Sequence, residues 1–234
     1  MAARERPAMS GFAAVIFDFG GVITESPFEA FNRLEKARGL PRDLVRQINA
    51  DEPHRNAWAR LERAEIARDE FDIAFAAEAA ALGHELRGHD VIACLTTTVR
   101  PAMAMALNAL HDAGLKLGCI TNNFNAQEQE GHALGIPVEP DEAPMLEQVM
   151  ALFDHVIESA KAGIRKPDPR IYAMMCEALG VEPARCVYLD DLGINCKPAA
   201  AMGMTAIKVT GEAQALRELA ALTGVALAPP EEAA

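Results

Sequence analysis

The stretch Ala13–Thr24, AAVIFDFGGVIT, decides how the rest of the chain is read. Residues 13–17 are apolar, with β-branched Val15 and Ile16, and the run stops at Asp18 with Gly20 and Gly21 just beyond. A short continuous apolar run bounded by polar and glycine residues is the pattern of a strand buried on both faces, as in parallel sheets. Ligands of open α/β sheets sit beyond the carboxyl ends of such strands, so a carboxylate at position 18 stands where chemistry is done. Paired glycines let the backbone come close to a ligand and turn N–H groups toward an anion. A strand ending in a simple Asp turn cap has the same local pattern, so the remainder of the chain must decide.

The chain has 234 residues, 50% hydrophobic and 24% charged, which suits one large domain or one domain with a smaller insert. Its formal net charge is −12. That balance excludes duplex nucleic acid or an anionic membrane as the main partner, because both require a basic face. A small anionic substrate is still open to it, since a local site can oppose the global field. A homodimer is compatible with the sequence, which does not specify an oligomeric state. The cysteines at 94, 119, 176, 186 and 196 include no C-x-x-C pair. Buried thiols in a reducing compartment are expected, rather than zinc ligands or disulfides. The N-terminal MAARERPAMSG has no apolar signal core, and no apolar run reaches transmembrane length. A soluble cytoplasmic protein is the expectation, with frayed ends at Met1–Ser10 and Pro229–Ala234.

After Thr24 the pattern changes to helical spacing. Helices are expected over Pro27–Arg38, Pro41–Ile48, His54–Ile66 and Arg68–Leu82, and no convincing strand interrupts them. About 70 residues therefore separate the first strand from the next sheet signal, far more than an ordinary βα connection. The reading is a helical insert over 25–96, standing above the end of the first strand, with Trp58, Phe71 and Phe75 as its core. Alternation of strand and helix resumes with a helix from Pro101 to Ala113 closed by Gly114. Strands are expected at Leu115–Ile120, Phe153–Ile157, Cys186–Leu189 and Thr205–Val209. Helices are expected at Ala126–Leu134, Asp168–Leu179, Asn195–Met202 and Glu212–Leu222, with an irregular acidic segment at Pro137–Pro144. This order predicts an α/β fold with a doubly wound parallel sheet, its core formed by 11–24 and 97–226.

Four strand ends or adjoining loops carry polar groups: Asp18 with Gly20 and Gly21, Thr121 with Asn122, Lys166, and Asp190 with Asp191. In a parallel sheet the carboxyl ends share one edge, so these groups can converge. Asp18 and Asp191 are hard oxygen ligands suited to Mg²⁺. Thr121 offers a hydroxyl, and Lys166 a positive charge, to a bound phosphate. A carboxylate beside a metal and a lysine stays ionised and can attack phosphorus. Each group has a plainer reading as a turn, a solvated lysine or a helix cap. Four such coincidences in consistent order at strand ends favour the joint functional reading.

The same set resembles the haloacid dehalogenase (HAD) superfamily: FDFGGVIT at 17–24, TNN at 121–123, GIRKPDPRIY at 163–172 and YLDDLGINCKPAAAMGM at 188–204. The helical insert resembles the C1 cap of that superfamily, over a HAD-like Rossmannoid core. The stretches ESAKAGIRKPDPRIY and LDDLGINCKPA are most similar to the phosphatase-type N-terminal domain of soluble epoxide hydrolase and to the related domain of some acyl-CoA dehydrogenase fusions. The resemblance implies that Asp18 is a nucleophile forming an aspartyl-phosphate and also a metal ligand, with the Gly20 carbonyl as a second ligand. It implies that Thr121 binds a phosphoryl oxygen with Asn122 and Gly21 beside it, and that Lys166 pairs with both phosphate and Asp18. Asp191 is then the direct Mg²⁺ ligand, Asp190 acts through water or through a neighbour, and Asn195 shapes the loop that follows. The implied substrate is a small phosphorylated compound.

The chain departs from the family pattern at Gly20, where phosphatases carry a second aspartate as general acid. Glycine keeps the carbonyl but supplies no proton, and such help is typically worth about 10²–10⁴-fold. Slow hydrolysis or a restriction to good leaving groups is the expectation. Two other readings stand beside the Mg²⁺-dependent phosphatase. A phospho-ligand-binding or regulatory protein with little or no turnover would explain Gly20. A 2-haloacid dehalogenase also uses an aspartate nucleophile, but needs no metal and leaves Asp190 and Asp191 poorly explained.

Overall fold

The structure, a computed structural model, describes residues 11–125, 132–133 and 136–228. Five strands form one parallel sheet in the order β5-β2-β1-β6-β7. They are β1 (Ala14–Phe17), β2 (Lys116–Thr121), β5 (His155–Glu158), β6 (Cys186–Asp190) and β7 (Thr205–Lys208). The five strands expected from sequence are all present, with ends moved by one or two residues. A two-stranded antiparallel ladder, β3 (His132–Ala133) with β4 (Ile136–Pro137), stands apart from the sheet. The helix expected over 126–134 otherwise lies outside the described residues, as do the ends expected to fray.

Register places β1 at the centre. Phe17 pairs with Cys119 on one side and Leu189 on the other, so the residues that follow emerge together at one edge. Alternation along β1 splits the core in two. Val15 and Phe17 face one apolar cluster with Met103, Leu107 and Leu110 of α6 (Pro101–Asp112) and Leu216 and Leu219 of α11 (Glu212–Thr223). Ala14 and Ile16 face the other, with Tyr172 and Met175 of α9 (Pro169–Leu179) and Ala199 of α10 (Gly193–Ala201). Burying each such large side chain is worth about 1.5–3 kcal/mol. Local chemistry sets the helix ends. Pro101 occupies the first turn of α6, and in α9 the Asp168 carboxylate accepts from the Arg170 N–H while Gly180, at φ 61°, closes the other end.

Between β1 and β2 lie α1 (Pro27–Ala37), α2 (Leu44–Ala50), α3 (Ala57–Glu62), α4 (Arg68–Ala81) and α5 (Gly88–Ala93). They pack around a third apolar cluster that includes Phe31, Ile48, Phe71, Phe75 and Val91, and that borrows Phe124 from the loop after β2. Helix α3 starts at Ala57 rather than His54 because the Asn56 side chain accepts from the Ala59 N–H at 2.8 Å and caps it there. Helices α5, α7 (Ala143–Ala151) and α8 (Ser159–Ala162) were not expected from sequence. No helix among the described residues is long and apolar enough to cross a membrane.

Candidate active site

Phe19–Ile23, directly after β1, winds one wide turn in which the Thr24 N–H donates to the Phe19 carbonyl at 3.1 Å. Asp18 sits between strand and turn, 8% exposed, with its own N–H donating to Leu189 of β6 at 2.8 Å. Its Oδ1 accepts from the Phe19 N–H at 2.6 Å and meets Lys166 Nζ at 2.6 Å. Lys166 comes from the loop between α8 and α9 and is almost wholly buried. Its second partner is Asp190 Oδ2 at 2.9 Å. Asn122 fixes the backbone that carries it: the Lys166 N–H donates to Asn122 Oδ1 at 2.9 Å, and Asn122 Nδ2 donates to the Lys166 carbonyl at 3.1 Å.

Asp190, at the end of β6, is fully buried and accepts from four groups. These are Lys166 Nζ, the Tyr188 hydroxyl at 2.5 Å, the Leu192 N–H at 2.8 Å, and Asn195 Nδ2 at 3.1 Å from either oxygen. Tyr188 lies two residues before Asp190 on one strand, hence on the same face. Its ring meets Tyr172 edge-to-face at 5.2 Å, and the Tyr172 hydroxyl donates to the Asn195 carbonyl at 2.8 Å. Sequence reading did not single out either tyrosine; the i, i+2 spacing of Tyr188 and Asp190 was the available signal.

Burial and the nearby Asp190 charge raise Asp18 well above the ordinary carboxylate range, against the lowering pull of Lys166. Burial and Asp190 likewise push Asp191 up to about 6. Burial alone would lower Lys166, but the Asp18 and Asp190 carboxylates outweigh it and raise it above the usual lysine value. Oxygens of Asp18, Asp190 and Asp191 lie within 4.8 Å of one another. Three carboxylates against one lysine form a hard, electron-rich donor set that repels itself. A divalent cation is the group that such a set fits, and it would reverse the upward shifts.

The structure brings Asp18, Thr121, Lys166, Asp190 and Asp191 to one sheet edge and gives several of the expected roles a different content. Gly21 was expected to turn its N–H toward an anion. Instead that N–H donates to the Glu25 carbonyl at 3.2 Å, closing the turn. The glycine is needed for another reason: its φ is +80°, and a Cβ there would fall 2.4 Å from Asp191 Oδ2. The Asn122 side chain, expected beside the phosphate, is occupied with the Lys166 backbone. Gly20, at ordinary backbone angles, lines the cavity with Asp18, Thr121, Lys166 and Asp191.

That cavity measures about 450 Å³ and runs from the sheet edge to the helices of 27–93. Its far wall is aromatic: Phe28, Phe31, Trp58 and Phe124. Trp58 stands edge-on to Phe31, Phe71 and Phe124, with centroids 5.7, 5.6 and 6.1 Å away. Phe71 and Phe75 are fully buried, as expected of a core, whereas half-buried Trp58 also lines the cavity. Arg55 and Arg60 point to solvent. Glu62 and Arg165, which also line the cavity, were not foreseen, because their contact spans a hundred residues of sequence.

A central parallel strand that ends on a carboxylate, met by a buried lysine from a loop and by a carboxylate at the end of the neighbouring strand, is a site of the hydrolase type in the α/β class. The family model for haloacid dehalogenase-like hydrolases matches residues 12–203, and the chain belongs to that family. Acyl-CoA dehydrogenase family member 10 of Mus musculus is 30% identical over 221 residues, which are 92% of this chain and 20% of that protein. Bifunctional epoxide hydrolase 2 of Mus musculus is 32% identical over 219 residues, 89% of this chain and 38% of that protein. The chain thus spans well under half the length of either relative. A sesquiterpene phosphatase of Aspergillus oryzae is 27% identical over 91% of this chain and 97% of its own. Among solved structures, a HAD family enzyme of Bacteroides thetaiotaomicron in complex with magnesium and inorganic phosphate aligns with a TM-score of 0.53. Its identity is 16%, over 84% of this chain and 93% of that one, a likeness of fold.

Proposed function

We propose that this hydrolase is a Mg²⁺-dependent phosphatase of phosphate monoesters with an apolar organic part, acting through a phosphoryl group carried on Asp18. The observation that carries the reading is the 2.6 Å contact of Lys166 Nζ with Asp18 Oδ1 in a cavity also lined by Phe28, Phe31, Trp58 and Phe124. Residues 25–96 act as the cap that supplies most of that wall. The relative named as a sesquiterpene phosphatase supports an apolar substrate.

In this mechanism an Asp18 oxygen attacks phosphorus, the ester oxygen leaves with its bonding pair, and water then cleaves the aspartyl-phosphate. Lys166 offsets charge on the transferring oxygens, and the Thr121 hydroxyl donates to one of them. Asp190 holds Lys166 in line, since its oxygens already accept from protein donors. Asp18, Asp191 and the Gly20 carbonyl would hold Mg²⁺, which when bound neutralises phosphate charge and favours ionised Asp18. No side chain at position 20 protonates the leaving group, so good leaving groups react faster. Gly20 also favours a second reading, a phospho-ligand-binding protein with little turnover.

The test is turnover of p-nitrophenyl phosphate and acetyl phosphate with and without Mg²⁺, alongside Asp18→Asn. The expected outcome is Mg²⁺-dependent hydrolysis that falls by roughly 10⁴-fold or more in the variant. Activity that survives Asp18→Asn would falsify the mechanism. A wild-type protein that binds Mg²⁺ and phosphate without turning over either ester would establish the second reading instead.

A further inference from the structure

We propose that Arg165 is a positioning residue that ties the phosphate end of the site to the aromatic wall and so selects esters whose organic part reaches that wall. The proposal rests on the phosphatase reading above. Arg165 immediately precedes Lys166, yet its guanidinium reaches away from the carboxylates toward the helical region. There Nη1 donates to the Pro53 carbonyl at 2.8 Å, and Nε lies 2.5 Å from Glu62 Oε2. The second contact is one of charge, with the N–H pointing off the line of a hydrogen bond. Glu62, the last residue of α3, has a side chain only 8% exposed. Its other oxygen accepts from Trp58 Nε1 at 2.8 Å. Its backbone carbonyl accepts from Ser159 Oγ at 2.6 Å, and that hydroxyl also meets the Asn123 carbonyl beyond β2.

A continuous path therefore runs from Lys166 through Arg165 and Glu62 to Trp58 and the rings around it. Phosphoryl transfer requires neither Arg165 nor Glu62. A nearly buried carboxylate beside an aromatic wall is nonetheless costly unless a cation pairs with it. Such a pair at the junction of the two halves fixes their spacing, because rupture takes from nearly buried Glu62 the cation it touches and leaves it only the Trp58 N–H and the more distant Arg63 charge. The freed carboxylate would no longer restrain the Trp58 indole. Substrates too small to touch Trp58 are insensitive to that spacing. Those that fill the cavity depend on it.

The experiment compares the whole chain with Arg165→Met, which keeps the apolar stem, and Arg165→Lys, which keeps the charge. Two substrates are used with Mg²⁺: acetyl phosphate, which does not reach the wall, and 2-naphthyl phosphate, which does. Trp58 is the only tryptophan in the chain, so acrylamide quenching of its fluorescence reads the path without any turnover. The expected result is that Arg165→Met raises KM for 2-naphthyl phosphate about tenfold, leaves kcat/KM for acetyl phosphate within about twofold, and makes Trp58 more quenchable. Arg165→Lys recovers most of both changes. Equal losses on the two substrates, or unchanged quenching in Arg165→Met, overturn the proposal. A wild type that hydrolyses neither substrate defeats the phosphatase reading alone, and quenching then decides whether Arg165 holds Trp58.

Discussion

Around Asp18 the Lys166 and Asp190 side chains are held by directional polar contacts, whereas the opposite wall of the cavity is held by ring edges. Lys166 meets two carboxylates while Asn122 grips its backbone, and Asp190 accepts from four donors. These groups come from strand ends, or from a loop clamped to one, and strands in register at the centre of a sheet hardly move. Phe28, Phe31, Trp58 and Phe124 touch one another edge-on, at centroid distances of 5.7–6.1 Å where they pair, with one indole N–H as a polar tether. A buried polar network is sound only when complete, so one lost partner disturbs all of it. An apolar wall gives way in small steps, because contact area is lost atom by atom. The half that would perform the chemistry is thus rigid and intolerant, and the half that would choose the substrate is open to change.

The largest effect is expected where the rigid half has a gap. Gly20 has φ −67° and ψ 129°, angles any residue adopts, and a Cβ there would meet only Pro27 Cδ at 3.7 Å. Gly20→Asp should therefore fold and place a proton donor beside the leaving group. Turnover of alkyl phosphates should rise by about 10²–10⁴-fold, measured in steady state with Mg²⁺, and acetyl phosphate much less. No rise would mean that leaving-group protonation is not what limits the rigid half. The neighbouring glycine gives the opposite case. Gly21→Ala drives a methyl against the Asp191 carboxylate at a positive φ. Displacing that group by about 1 Å should cost about 10²-fold in turnover of every substrate. Titration calorimetry should show weaker Mg²⁺ binding in the same variant, and unaltered binding would remove Asp191 from the metal site.

The two halves were also unequally legible in the sequence. A strand end is written locally, so AVIF before Asp18 and CVYLD ending at Asp190 announced both their burial and their common edge. What the carboxylates do for one another was not legible. The four donors to Asp190 come from residues 166, 188, 192 and 195, and only the assembled fold shows that its oxygens are satisfied. Gly21 was read as bringing the backbone to an anion, whereas the neighbour that requires it is Asp191, 170 residues away. On the helical side periodicity found four helices and missed α5. That helix has only six residues, and its first, Gly88, is set by packing: a Cβ there would fall 2.7 Å from the Phe71 ring. Phe124 belongs by sequence to the loop after β2 yet joins the helical cluster. The Arg165–Glu62 pair is of the same kind, since no local pattern specifies a partner on another domain-sized segment.

The smallest expected effect lies in the tolerant half, and it decides whether the contrast is real. Phe28 is half-buried, contacts Phe31 edge-to-face at 6.1 Å, and has the Arg46 guanidinium 4.4 Å above its ring. Phe28→Ala removes wall area without unpairing a buried polar atom, so the fold should persist with a modest loss of melting temperature. Catalytic efficiency on 2-naphthyl phosphate should fall by only about five- to tenfold, the scale of a lost apolar contact. The loss should appear in KM, because the ring would touch ground state and transition state alike. Acetyl phosphate should be hydrolysed at the wild-type rate. If its rate falls in parallel, the aromatic wall is not a separate selector but part of what holds Asp18 and Lys166 in place, and the division between a rigid half and a tolerant one fails at its softest point.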